Sequence, residues 1–143
     1  MILTVTASDL DFVISYFRSL CDELAAAASK AALTAPQAEA FRQRCLSGAR
    51  SSLEGHGIEC PICRAMQLDR LDPLLWRERC EQCPVGEVCW LLPDSPYNRT
   101  IASLAGRDTA AASKAIEDGL ALLADVRRQL AARGGSLSVE VPD

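Results

Sequence analysis

The chain has 143 residues, a net charge of −4 and charges of both signs interspersed along its length. This length suits a single domain over 1–143 that can bury a sizeable core. Direct binding to nucleic acid is not expected, because such surfaces need clustered Lys and Arg. No apolar run approaches the length of a membrane span, and the first residues lack the basic start of a signal peptide. We therefore expect a cytoplasmic protein, in a compartment where thiols stay reduced.

Nearly half of the residues are apolar, but alanine supplies much of this fraction and aromatic residues supply only 5% of the chain. Small side chains of high helix propensity suit close helix packing better than a sheet core. The predicted fold class is therefore all-α. We expect a helical hairpin over 8–55, a Cys-rich metal-binding segment over 58–96, a long C-terminal helix over 108–134 and a tail over 135–143.

The predicted hairpin consists of two amphipathic helices. Ser8 and Asp11 are placed to form a capping box at the start of the first helix, and an apolar stripe at helical spacing follows. The second helix is predicted to begin with Thr34 as its cap and Pro36 in its first turn, where proline is tolerated. We expect these helices to pack as an antiparallel pair.

The C-terminal helix is predicted to have Asp108 or Thr109 as its cap and to stop at Gly134 and Gly135. Its apolar residues form a narrow seam like that of a coiled coil, namely Ile116, Leu120, Leu123, Val126 and Leu130. Such a seam must be buried, either on the hairpin or on another chain, including a second copy in a homodimer. For the tail over 135–143, mobility is the expectation, and pairing with a sheet edge of a partner is the alternative.

Five of the seven cysteines lie between positions 60 and 89, with the spacing Cys60-x2-Cys63-x16-Cys80-x2-Cys83-x5-Cys89. Prolines break this stretch into pieces too short to be stable helices alone. In a reducing compartment, paired CxxC units are typical of metal sites, because each unit can point both sulfurs at one ion. The alternative is a set of buried or redox-active thiols without a ligand.

Zn²⁺ is one candidate metal. The thiolates of two CxxC units would supply its tetrahedron, in a pattern similar to zinc fingers of the GATA and treble-clef kind. However, Arg64 and Pro84 stand where zinc knuckles commonly have a glycine, and Cys89 would have no part in the site. Under this hypothesis the protein is a zinc-binding protein-interaction module without a redox role.

An iron–sulfur cluster is the other candidate, and it uses the fifth thiol. The decapeptide CEQCPVGEVC resembles the cluster motif of WhiB-like proteins, small helical regulators in which C-x2-C-x5-C and one distant cysteine hold a [4Fe–4S] cluster. The resemblance implies Cys80, Cys83 and Cys89 as ligands, with either Cys60 or Cys63 as the fourth. It is confined to the Cys-rich segment. The Gly-Trp-rich turn and basic tail of that family have no counterpart here, so its DNA binding is not implied.

From this resemblance we expect a small iron–sulfur protein that acts through a protein partner. It would serve as a redox- or gas-responsive regulator or as an accessory electron-transfer subunit. The chain has no phosphate-cradling Gly loop, no Ser–His–Asp set and no convincing pair of catalytic carboxylates. No enzymatic activity of its own is therefore expected.

The remaining notable side chains are interpreted as structural. His56, the single histidine, stands between two glycines and is typical of a loop residue. Cys21 and Cys45 lie on the apolar stripes of the hairpin helices, where free cysteine packs as a small hydrophobe. Trp76 and Trp90 flank the clustered cysteines and are predicted to shield them from water.

Overall fold

The computed structural model describes residues 1–28, 33–49, 60–89 and 93–142. These ranges are mostly helical, which confirms the predicted all-α class. They contain α1 (Ala7–Ala28), α2 (Ala35–Ala49), α3 (Pro61–Ala65), α4 (Trp76–Glu81), α5 (Pro96–Ala105) and α6 (Thr109–Ala132), with two strands, β1 (Ile2–Thr6) and β2 (Ser136–Glu140). A membrane-spanning helix would need a longer apolar run than any helix of the described ranges has.

The two ends of the chain pair with each other, which was not predicted. β1 and β2 form an antiparallel sheet in which Leu3 stands opposite Val139 and Val5 opposite Leu137. Leu3, Val5 and Leu137 are buried beneath this sheet. The expectation of a mobile tail is therefore wrong. The alternation of apolar and polar residues in the tail matches that of the first strand, and each strand covers the same side of the core.

Two glycines make the connection from α6 to β2. Gly134 and Gly135 have φ angles of 78° and 94°, a left-handed conformation that glycine adopts without steric strain. The predicted stop of the C-terminal helix at these residues is confirmed. The amide of Ala7 donates to the Gly135 carbonyl at 3.2 Å, so the turn also fixes the start of α1.

The capping box of α1 lies two residues earlier than predicted. Because β1 ends at Thr6, Ser8 is already inside the helix. The Thr6 hydroxyl accepts from the amide of Asp9 at 3.3 Å, and the Asp9 carboxylate accepts from the amide of Thr6 at 3.0 Å. The predicted cap of α2 is confirmed, since the Thr34 hydroxyl accepts from the amide of Gln37 at 3.3 Å.

Helix α6 is central to the helical packing, because it contacts both α1 and α5 extensively. Four residues of its predicted seam are buried, namely Ile116, Leu123, Val126 and Leu130. An ion pair between Arg127 and Asp11 joins α6 to α1 at the border of this contact. The seam is therefore covered within the chain, as the intramolecular alternative expected, and is not left exposed for a second copy.

The first two helices, which were predicted to form an antiparallel hairpin, each pack more extensively on another helix. α1 packs chiefly on α6, and α2 packs chiefly on α5. Side chains still join the two helices, because the Tyr16 hydroxyl donates to the carbonyl of Arg44 and the Arg44 guanidinium pairs with Glu23. Residues 29–32 and 50–59, which include the predicted end of the hairpin at position 55, lie outside the described residues.

Helix α6 begins at a predicted cap, and farther along it contacts the end of the Cys-rich segment. Asp108 is its cap, as one of the two predicted alternatives, and its carboxylate accepts from the amide of Ala111 at 3.0 Å. Farther along, a Cβ on Gly119 would lie 3.2 Å from Cβ of Pro96 and 3.5 Å from Cγ1 of Val88. The missing side chain therefore lets α5 and the end of the Cys-rich segment lie directly against α6.

Candidate metal site

The Cys-rich segment folds as a series of short helical pieces, as predicted. Two 3₁₀ turns, Leu68–Arg70 and Pro73–Leu75, separate α3 from α4. The chain reverses after α3 at Gln67, which has a left-handed φ of 57°. Apolar side chains anchor the pieces to the core, and the buried ones include Ile62, Met66, Leu68, Val85 and Val88. The segment is thus held by packing as well as by any ligand.

All five clustered cysteines line one cavity. Cys60 immediately precedes α3, Cys63 lies within it, Cys80 is near the end of α4, and Cys83 and Cys89 lie on the turns that follow. The space between them, counted with its opening to solvent, is about 480 Å³. The rest of the lining is Ile62, Met66, Leu68, Val85 and Gly86.

The chemical character of the lining is soft, since sulfur and carbon atoms make up almost all of it. Thiolate ligands select zinc, copper(I) and iron–sulfur clusters, whereas calcium and magnesium need oxygen ligands. Within the ranges that the structure describes, no group of three or more Cys, His, Asp or Glu side chains is arranged to hold a metal ion. The five cysteines lie close enough to influence one another, since Cys63, Cys83 and Cys89 each interact electrostatically with at least two other cysteines of the cavity.

Cys60 and Cys63 form a hydrogen-bonded pair at the start of α3. The thiol of Cys63 donates to the sulfur of Cys60, and this bond lowers the pKa of Cys60 to about 7. The same bond, together with burial, raises the pKa of Cys63. Cys60 is therefore the thiol of this pair that ionises first, and its thiolate is the form that binds a metal.

The other three thiols of the cavity resist ionisation. Burial raises the pKa of Cys83 to about 12 and also raises the pKa of Cys80 and of Cys89. Neighbouring thiols act on Cys83 and Cys89 in the same direction, because a second negative charge close by is unfavourable. Without a cation, these groups stay protonated at neutral pH, and a metal would have to displace their protons.

The turn after α4 is tight enough to require glycine. The amide of Cys83 donates to the carbonyl of Cys80 at 3.1 Å, and the amide of Gly86 donates to the carbonyl of Cys83 at 3.0 Å. A Cβ on Gly86 would lie only 2.6 Å from the Cys80 carbonyl oxygen. Gly86 was not predicted as part of the site, although the signal is present as the glycine in PVGEVC.

Two donors on α4 were also not predicted to contribute to the site. Arg79 is buried, and its Nη1 donates to the carbonyl of Met66 at 2.8 Å. Trp76 was predicted only as a shield, but its indole Nε1 donates to the carbonyls of Leu68 and Leu71 at 3.1 and 3.2 Å. Both side chains thus bind the stretch of chain that follows α3.

Of the other residues that the sequence analysis singled out, two lie in the helical core and two lie outside the described residues. Cys21 and Cys45 pack in the helical core, as expected, and burial raises the pKa of Cys45 to about 11. Neither of these thiols lines the cavity. His56 and Trp90 lie outside the described residues.

Comparison with protein-family models, with curated proteins and with solved structures finds no match to this chain.

Proposed function

We propose that the five-cysteine cavity holds a metal centre with thiolate ligands, and that this centre is an iron–sulfur cluster. The observation that carries the proposal is that three separate pieces of the chain bring all five clustered cysteines to one cavity. If these thiols served only as small apolar side chains, nothing would require them to face a shared space. The other two cysteines, which pack in the core, provide the contrast within the same chain.

The fifth thiol of the cavity favours a cluster over a single ion. The four thiolates of a cubane attach at separate corners, whereas the thiolates of one zinc ion crowd around a point. Cys89 lines the same cavity as both CxxC units, and a cluster bound through the C-x2-C-x5-C motif uses this fifth thiol whereas a four-cysteine zinc site does not. The resemblance of CEQCPVGEVC to the WhiB-like cluster motif supports the same choice. Cys80, Cys83 and Cys89 would serve as three of the ligands and either Cys60 or Cys63 as the fourth, so one thiol would be surplus.

The proposed role is to act through a protein partner, as a redox- or gas-responsive regulator or an accessory electron-transfer subunit. A bound cluster would supply one-electron chemistry and sensitivity to oxidants. Around it the chain supplies thiols and the aliphatic groups of Ile62, Leu68 and Val85. Such a lining would hold and shield a cluster, and among the described residues it offers no carboxylate, imidazole or amine side chain for further chemistry. The substrate or signal would therefore come from another protein.

Anaerobic reconstitution tests this proposal. Metal-free protein is incubated in parallel with ferrous iron plus sulfide and with Zn²⁺, and each sample is then desalted. We expect stoichiometric iron and sulfide to remain bound, with a broad visible absorption that dithionite bleaches and air destroys. If the protein binds neither metal, the proposal is wrong, and the five cysteines serve only as packed apolar side chains.

Zn²⁺ bound to four cysteines remains the second candidate, because the structure brings both CxxC units to the same cavity. It would staple α3 to α4 and support a protein-interaction module without redox activity. In the reconstitution experiment, this candidate predicts one tightly held zinc ion per chain and no retained sulfide.

A further inference from the structure

We propose that Arg79 and Trp76 are positioning residues that set the distance between the two CxxC units. This inference rests on the proposed function, since the units need a defined separation only if they share a metal centre. Neither side chain is a candidate ligand, and both would act through hydrogen bonds to the backbone.

The two residues lie three positions apart on α4, so they share one face of that helix. Both point donors at backbone carbonyls of the stretch that leaves α3. Arg79 binds the carbonyl of Met66, and Trp76 binds the carbonyls of Leu68 and Leu71. We call these three hydrogen bonds the α4 clasp.

The hydrogen bonds of the clasp involve residues that are close in sequence to the candidate ligands. Arg79 directly precedes Cys80, and its acceptor Met66 comes three residues after Cys63. Met66 also lines the cavity with its own side chain. A shift of the Met66 carbonyl relative to α4 would therefore change the space between the two CxxC units.

The burial of Arg79 indicates that this bond is not incidental. Only 7% of the residue is exposed. Removing a guanidinium from water is unfavourable unless it is hydrogen-bonded, and a buried carbonyl without a donor is also unfavourable. By contrast, the side chain of Arg77, on the same helix, is 80% exposed and pairs with Glu81 at 3.5 Å. Arg77 is therefore a matched control that differs in its contacts and not in its chemistry.

The test compares Arg79→Met, Arg79→Lys and Arg77→Met with the wild type, all purified anaerobically with their metal. Each protein is dialysed against a series of EDTA concentrations, and the retained metal gives the EDTA midpoint. Met keeps an unbranched apolar stem and loses the donors, so we expect Arg79→Met to lower the midpoint about 10- to 100-fold, as is typical for residues that support metal ligands. Arg79→Lys keeps a charged donor and should recover most of the loss. Arg77→Met should match the wild type.

Circular dichroism separates positioning from a general loss of fold. The clasp predicts a lower EDTA midpoint in a variant that still folds, with helix content near that of the wild type. If Arg79→Met fails to fold, the EDTA midpoint of Trp76→Phe tests the inference instead, because this variant removes one N–H donor and keeps an aromatic ring. Variants that fold and hold metal as tightly as the wild type would overturn the inference and leave the proposed function intact. A wild type that retains no metal would instead overturn the proposed function, and this inference with it.

Discussion

The Cβ position of Gly86 lies 2.6 Å from the carbonyl oxygen of Cys80, closer than any side chain could approach. The contact is with backbone and not with a movable side-chain end. The turn that carries Cys83 can therefore close on α4 only with glycine at position 86. The relative positions of Cys80 and Cys83 therefore depend on a residue that cannot itself bind metal.

Gly86→Ala should consequently displace the turn between α4 and Cys89. We expect a loss of about 1–3 kcal/mol in the free energy of unfolding, typical of an added group in a packed region, and a loss of bound metal. Urea unfolding and metal analysis measure the two effects. The matched control is Gly106→Ala, because a Cβ there would lie no closer than 3.6 Å to its neighbours. Equal behaviour of the two variants would refute the steric explanation.

Replacement of Cys89 separates the two metal hypotheses. Cys89 lines the cavity but lies outside both CxxC units, so a cluster bound through the C-x2-C-x5-C motif needs it and a four-cysteine zinc site does not. We expect Cys89→Ser to lose the cluster. Cys21→Ser, which changes a partly buried thiol of the core, should keep full metal content. A Cys89→Ser protein that retains one metal ion per chain would favour zinc.

Metal affinity should fall as the pH falls. Burial raises the pKa of Cys80, Cys83 and Cys89, so these thiols are protonated throughout the neutral range and a metal must displace their protons. Each displaced proton makes the apparent affinity for Zn²⁺ about tenfold weaker per pH unit of acidification. The pKa of Cys60 is about 7, so this thiol adds to the dependence only at lower pH. Zn²⁺ titrations of metal-free protein across this range measure the slope, and an affinity independent of pH would exclude thiol ligation.

The seam of α6 should stabilise the fold of a single chain. Leu123 is fully buried, so Leu123→Ala removes packing against the neighbouring helices. We expect it to reduce the free energy of unfolding by about 2–5 kcal/mol. Leu74→Ala is the control, because Leu74 is 89% exposed and its loss should change stability by no more than about 0.5 kcal/mol. A folded Leu123→Ala protein of unchanged stability that differs only in oligomeric state would restore the homodimer hypothesis.

The sequence predicted those parts of the fold that depend on local patterns. The caps at Thr34 and Asp108 and the stop at Gly134 and Gly135 are set by side-chain or backbone preferences within a few residues. The sheet between the chain ends was not predicted. Each strand is only five residues long, and the two are separated by nearly the whole sequence, so neither pattern identifies the other as its partner.

For the candidate site, as for the fold, the sequence predicted some residues and not others. Cysteine spacing alone identified the residues that share the cavity, because metal-binding chemistry leaves a regular signature in sequence. Spacing says nothing about Arg79, Trp76 or Gly86. Their importance depends on where the carbonyls of Met66, Leu68 and Cys80 lie after folding. These contacts are made to backbone atoms, which are the same in every residue, so the sequence gives no sign of them.

The most direct test of the central claim is the iron and acid-labile sulfide content of the wild-type protein purified without oxygen. If the five cysteines that line the cavity hold a cluster, iron and sulfide should be present in equal amounts, about four of each per chain for a cubane. Protein that contains stoichiometric zinc without sulfide, or no metal at all, would contradict the account.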